Sequence, residues 1–178
     1  MIKFALYDYV PQRYLKRASF EDIDCHRRIL DFKDGRHYAM EWAAREIGNA
    51  LSSMDLSQAV VVCIPACCKR TNDRRFKKFS SMVCERLGSE NGFDYVQIVR
   101  KRRKAHIDHV HDIAADSFVQ IDESRLAGKD VVVVDDITTS CRTANAFIDR
   151  MVKAGAKVRI AVFLAKTRNY RRSRNSYS

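Results

Sequence analysis

The sequence contains no uninterrupted apolar run of the ~18 residues that a membrane-spanning helix needs. Met1 to Val10 carries Lys3 and Asp8 and lacks the long apolar centre of a secretory leader. A cytoplasmic location without membrane attachment is therefore the expectation. Cys-x-x-Cys pairs are also missing. The six cysteines are Cys25, Cys63, Cys67, Cys68, Cys84 and Cys141, and only Cys63, Cys67 and Cys68 lie close together. Structural zinc sites usually use tighter pairs, so the simple reading is a set of reduced thiols. No internal repeat is visible. From Lys166 to Ser178 there is no acidic residue at all, while Lys166, Arg168, Arg171, Arg172 and Arg174 are basic.

What is present fits one domain spanning 1–178, with 46% hydrophobic and 31% charged residues. The formal net charge of +11 favours anionic partners. A small polyphosphate and a nucleic acid both qualify.

The most informative stretch is Val131-Val132-Val133-Val134-Asp135-Asp136-Ile137-Thr138-Thr139-Ser140-Cys141-Arg142-Thr143. Four consecutive valines read as a strand buried on both faces, the habit of a parallel sheet. Two acids close that strand at its carboxyl end, where open α/β sheets place their ligands. After the hydroxyl-rich loop, Ala144, Phe147, Ile148, Met151 and Val152 recur at helical spacing. Backbone N–H groups at a helix N-terminus form an anion site, and the hydroxyls of Thr138, Thr139, Ser140 and Thr143 add donors. Asp135 and Asp136 repel a phosphate but accept hydrogen bonds from sugar hydroxyls. The combination describes a site for a ribose 5-phosphate. The plainer reading is a buried strand followed by a Thr/Ser helix cap.

Val131 to Thr143 resembles the 13-residue phosphoribosyl pyrophosphate (PRPP) motif of type I phosphoribosyltransferases. The resemblance implies that Asp135 and Asp136 hold the ribose 2- and 3-hydroxyls. It implies that Ile137, Thr138, Thr139, Ser140, Cys141, Arg142 and Thr143 wrap the 5-phosphate. The family usually has glycine where Cys141 stands, because glycine permits positive φ and close backbone approach.

Gln58 to Pro65 reads as a second buried strand, followed by Ala66-Cys67-Cys68-Lys69-Arg70-Thr71. In the type I family the corresponding loop contacts pyrophosphate, which by resemblance gives that role to Cys68, Lys69 and Arg70; a solvated basic loop is the bland reading. A helix is expected from about Asn72 to Leu87. Phe32-Lys33-Asp34-Gly35-Arg36 and Arg74-Arg75-Phe76 resemble segments of ComF-type proteins, the competence-associated branch of the family. In the second segment the branch's Arg-Gly-Phe-Asn signature is altered, with Arg75 at the glycine and Lys77 at the asparagine.

Elsewhere, Phe4 to Tyr7 suggests a short strand, and Ser19 caps a helix running to about Leu30. Asp34-Gly35 is a turn before an amphipathic helix over 36–52. Phe93 to Val99 is a third strand candidate, Phe118 to Ile121 resumes a strand pattern, and Lys157 to Leu164 is the last strand. Between them Arg100 to Lys104 places five positive charges in a row, followed by His106, His109 and His111. The histidine spacing would suit a metal; a charged loop is the simpler reading. By resemblance this is the flexible loop that closes over the active site, with Arg102, Arg103, Lys104 and His106 as its candidate contacts.

The expected fold is α/β, a mainly parallel sheet flanked by helices, type I phosphoribosyltransferase-like, with residues 1–34 as a candidate hood and 166–178 as a basic tail. The resemblance implies transfer of phosphoribosyl from PRPP to a small nitrogen acceptor with release of pyrophosphate. Mg²⁺ would be bound through the substrate, with no direct protein ligand. A homodimer is the default expectation. An alternative is a catalytically reduced nucleotide- or single-stranded-DNA-binding protein acting in DNA uptake or recombination. The basic loop and the tail, with Tyr170 and Tyr177 among its arginines, favour it. A weaker third reading is a redox-sensitive protein using Cys67, Cys68 or Cys141.

Overall fold

A computed structural model describes residues 1–99 and 118–168. The basic run, Arg102, Arg103, Lys104, His106, His109, His111 and most of the basic tail lie outside the described residues. The chain runs from β1 (Ile2–Tyr9) through a 3-10 turn (Gln12–Arg17) to α1 (Phe20–Lys33) and α2 (His37–Leu51). β2 (Val60–Cys63) leads into α3 (Lys69–Asn72), a π-helical turn (Asp73–Lys77) and α4 (Lys78–Leu87). Next come β3 (Glu90–Asn91), β4 (Val96–Ile98), β5 (Val119–Ile121) and α5 (Glu123–Leu126). β6 (Asp130–Thr138), α6 (Arg142–Lys153) and β7 (Lys157–Thr167) complete the order.

Five strands form one sheet in the order β1-β7-β6-β2-β3, with every pairing parallel. Parallel strands need crossovers, and helices supply them on both faces. All four valines of Val131–Val134 are fully buried, as a central parallel strand requires. On one face α1, α2 and α4 cover Val61, Val132, Val134 and Val162; on the other, α6 covers Val60, Val131, Val133 and Phe163. The fold is therefore α/β with a parallel sheet flanked by helices.

Several elements differ from the sequence expectation. Phe93 to Val99 does not enter the main sheet. Phe93–Tyr95 makes a 3-10 turn, and Val96–Ile98 pairs antiparallel with Val119–Ile121 in a separate two-stranded ribbon. The fifth strand of the main sheet is the two-residue Glu90–Asn91, too short and polar to show a pattern. The ribbon is also what carries the segment 100–117. The helix expected to begin near Asn72 starts at Lys69, so Lys69 and Arg70 sit in its first turn. Residues 1–34 supply an eight-residue edge strand and a 14-residue helix of the main layers. Ser19 caps that helix, accepting from the Asp22 N–H at 3.1 Å. No helix among the described residues is long and apolar enough to cross a membrane.

Candidate active site

Because all five strands are parallel, their carboxyl ends share one edge of the sheet. Tyr9, Cys63, Thr138 and Thr167 therefore end on the same side, which is where α/β sheets bind ligands. Asp135 and Asp136 lie near the carboxyl end of the central strand, which runs on to Thr138 rather than ending at the acids. Asp135 is half-buried and Asp136 is 5% exposed. Both carboxylates fold back on the main chain: Asp135 Oδ1 accepts from the Asp136 N–H at 2.8 Å, and Asp136 Oδ1 accepts from the Ile137 N–H at 2.6 Å. Burial first, then the adjacent Asp136 charge, push the Asp135 carboxyl well above the usual carboxylate range; the Asp136 N–H, Arg75 and Lys33 pull the other way.

The loop after the acids is closed by Thr138. Its hydroxyl accepts from the Cys141 N–H at 3.1 Å and donates to Cys141 Sγ at 3.4 Å. Thr139 and Thr167 hydroxyls meet at 2.9 Å, tying the loop to the end of β7. Ser140, Arg142 and Thr143 are exposed at the opening of the 12-residue helix α6. Of the hydroxyls expected to face a phosphate, Thr138 is thus occupied with the loop itself, while Ser140 and Thr143 face solvent.

Cys141 adopts φ 56° and ψ 5°. Among the described residues it is the only non-glycine with positive φ. The backbone has kept the left-handed turn that the family's glycine serves, at a steric cost of about 1–2 kcal/mol for a residue with a Cβ. Cys141→Gly is expected to stabilise the protein by about 0.5–1 kcal/mol, part of the relief being offset by the flexibility of glycine in the unfolded chain. Thermal unfolding reads this directly.

Beside the acids, β2 ends at Cys63 and Ile64, whose N–H donates to Val134 O at 2.9 Å. The following loop is shaped by buried Asn72, whose Oδ1 accepts from the Ala66 N–H at 2.9 Å. Cys68 stands at the cap of α3, half-buried. Lys69 is exposed and pairs with Asp73 at 3.0 Å, and Arg70 is exposed. A cavity of about 250 Å³ adjoins this loop, lined by Lys69, Asn72 and Asp73 on one side and by Phe93, Val96 and Ile98 on the other.

Four residues near the site escaped the sequence reading. Asn72 is one. Arg75 is the most important: its Nη1 lies 2.8 Å from Asp136 Oδ2, across 61 residues of sequence. It sits on the π-helical turn, a distortion that often marks functional positions. Phe76 anchors that turn among Phe32 and Phe79, with ring centroids 6.0 and 6.3 Å away. Gly35 lets the turn come close, since a Cβ on it would lie 2.8 Å from Arg74 Cγ. Arg74 in turn donates to Lys33 O at 3.3 Å. The two segments that resemble ComF-type proteins are thus in contact. Lys33 acts on Asp135 electrostatically. Tyr9 ends the edge strand near the acids: its hydroxyl is raised above its ordinary pKa by burial, then by the Asp136 charge. Its ring stacks on His26 at 5.0 Å. The signal for Arg75 was its place at the glycine of the altered signature, and Lys33 lies in the other ComF-like segment; Tyr9 carried none.

An acid pair near the carboxyl end of a central parallel strand is thus followed by a left-handed turn into a helix. The model of the phosphoribosyl transferase domain matches residues 29–178. The chain belongs to this family. No curated protein sequence matches it. Among solved structures, an enzyme titled the allosteric regulatory enzyme of purine biosynthesis shares 17% identity and a TM-score of 0.48 over 70% of this chain and 26% of the other. This phosphoribosyl transferase domain protein therefore spans about a quarter of that relative. A hypoxanthine phosphoribosyltransferase from Staphylococcus aureus shares 16% identity and a TM-score of 0.38, covering 78% of this chain and 68% of that one. A purine phosphoribosyltransferase from Pyrococcus horikoshii shares 13% identity and a TM-score of 0.34, covering 91% and 89%.

Cys25, Cys63 and Cys84 are packed in the interior, whereas Cys67 is exposed. Burial raises Cys25 and Cys84 to about 11 and Cys63 well above its ordinary value.

Proposed function

We propose that the protein is a PRPP-dependent phosphoribosyltransferase of the ComF-like branch, transferring phosphoribosyl to a nitrogen acceptor with release of pyrophosphate. The observation that carries this reading is the backbone after the acid pair: Cys141 takes the left-handed conformation that a phosphate-binding turn needs, although its side chain opposes it. Contact between Gly35 and Arg74 supports the ComF-like assignment, because it joins the two segments that resemble that branch.

The proposed division of labour gives each element one part of the substrate. Asp135 and Asp136 orient the ribose through its hydroxyls. Residues 137–143 hold the 5-phosphate with main-chain N–H groups at the start of α6. Cys68, Lys69 and Arg70, at the first turn after β2, face the pyrophosphate. As the C1–O bond to pyrophosphate breaks and the C1–N bond forms, positive charge develops on the sugar, and the two acids beside it stabilise that charge. Carboxylate oxygens are suitable hard donors for Mg²⁺, so the two acids would hold a substrate-bound ion through the ribose hydroxyls. The ion would supply charge neutralisation on the pyrophosphate. Tyr9, whose hydroxyl feels the Asp136 charge, marks the proposed acceptor side. The segment carrying Arg102, Arg103, Lys104 and His106 is the proposed cover.

Pyrophosphate release from PRPP across a panel of heterocyclic and amine acceptors tests the activity. Release that depends on one acceptor supports the reading. PRPP binding with no release for any acceptor would favour the second reading, a nucleotide- or single-stranded-DNA-binding protein. A specific observation favours that alternative: Asp136 is already engaged by Arg75, and the net charge is +11. Its signature would be DNA affinity that falls steeply with salt, whether or not PRPP is present.

A further inference from the structure

We propose that Arg75 couples recognition of the ribose diol to recognition of the group at C1. In this way it makes the site selective for a ribose 5-phosphate that carries a polyanion there. The inference rests on the reading of the acid pair as a ribose site.

Three observations lead to it. First, both oxygens of Asp136 are already engaged, Oδ1 by the Ile137 N–H and Oδ2 by Arg75 Nη1. With the Asp136 side chain only 7% exposed, a ribose hydroxyl that approaches this carboxylate competes with Arg75, the one of the two partners on a side chain. Secondly, the pair is largely out of water, with side-chain exposures of 18% for Arg75 and 7% for Asp136. A neutral hydroxyl cannot compensate a guanidinium that is pulled from its carboxylate in such surroundings. Thirdly, the guanidinium is under-used where it stands: its Nε is buried with no hydrogen-bond partner among the described residues. Arginine offers five donors in a planar fork suited to phosphate oxygens. Arg75 also lies on the turn that directly follows Lys69 and Arg70, the proposed pyrophosphate side.

The exchange is therefore paired. A ligand bringing only a diol leaves Arg75 without an anion. A ligand bringing both diol and pyrophosphate gives Asp136 its hydroxyls and Arg75 its phosphate oxygens in one event. Inorganic pyrophosphate should have the same effect when supplied separately. By linkage, it and ribose 5-phosphate should each tighten the other's binding.

Calorimetric titration of the full chain in Mg²⁺ tests this with PRPP, ribose 5-phosphate and pyrophosphate as probes. The wild type is expected to prefer PRPP over ribose 5-phosphate by at least about a hundredfold. Saturating pyrophosphate should tighten ribose 5-phosphate binding by about fivefold or more. In Arg75→Met the preference should fall by about tenfold or more. There, PRPP weakens while ribose 5-phosphate is unchanged or tighter, and the pyrophosphate effect vanishes. Equal weakening of both sugar phosphates in Arg75→Met, with the preference intact, would reduce Arg75 to a support for Asp136 and overturn the inference alone. If Arg75→Met does not fold, the wild-type coupling decides, and its absence overturns the inference. Failure of the wild type to bind either sugar phosphate would overturn the reading of the site, and this inference with it.

Discussion

Asp135→Asn combined with Asp136→Asn is expected to lower PRPP affinity more than about a hundredfold while leaving the protein folded. Each carboxylate is proposed to accept from a ribose hydroxyl, and a hydrogen bond to a charged acceptor contributes about 1.5–3 kcal/mol. Losing two of them at once is enough for that change. Folding survives because the two substitutions act in opposite directions on stability. Calorimetry with PRPP and circular dichroism on the same sample separate the two readouts. Undiminished PRPP affinity would sink the site assignment.

The single variants expose that opposition, which is the second large effect. Asp136→Ala removes the partner of Arg75 and leaves a largely buried guanidinium unpaired, at a cost of about 3–5 kcal/mol. For a chain of this size that corresponds to a fall in Tm of about 6–20 °C. Asp135→Asn should instead raise Tm at neutral pH. The Asp135 carboxyl is held above its unfolded pKa by burial and by Asp136. A carboxyl with a raised folded pKa stabilises the fold while protonated. That contribution is complete below the unfolded pKa and is lost as pH rises through the folded one. At neutral pH the wild type therefore carries a burden that asparagine does not. The advantage of Asp135→Asn should shrink as pH is lowered, and thermal melts at several pH values would show it. A lower Tm for Asp135→Asn at neutral pH would mean that its charge is well solvated or compensated. Together these variants describe a site whose acid pair costs stability in the empty protein, as functional sites commonly do.

Much of this arrangement was legible in the residues. Val131–Val134 announced a strand buried on both faces, and the acids and hydroxyls that follow mark the proposed site. The periodicity of Ala144, Phe147, Ile148 and Met151 matches the buried face of α6. Ser19 announced the start of α1 through its cap. What stayed hidden was non-local. β1 finds its partner in β7, more than 150 residues away, and an edge strand with mixed exposure shows little pattern of its own. Phe93 to Val99 is as apolar as a sheet strand, but its first three residues make a 3-10 turn, and the rest pairs with Val119–Ile121 instead. The ion pair between Arg75 and Asp136 depends on a π-helical turn, a close approach at Gly35 and three phenylalanines packed edge-on and tilted. Gly35, Arg75 and Phe76 lie in the two ComF-like segments, but nothing in those segments announces that they meet beside the acids. Cys141 is the converse case. Its identity suggested a departure from the family, yet its backbone does what glycine would do.

The central claim is that the carboxyl edge of this sheet is a PRPP site. Titration of the purified protein with PRPP, with and without Mg²⁺, tests it most directly. The account predicts saturable one-site binding that strengthens when Mg²⁺ is present. Absence of heat and of any thermal shift at millimolar PRPP, in either condition, would contradict it.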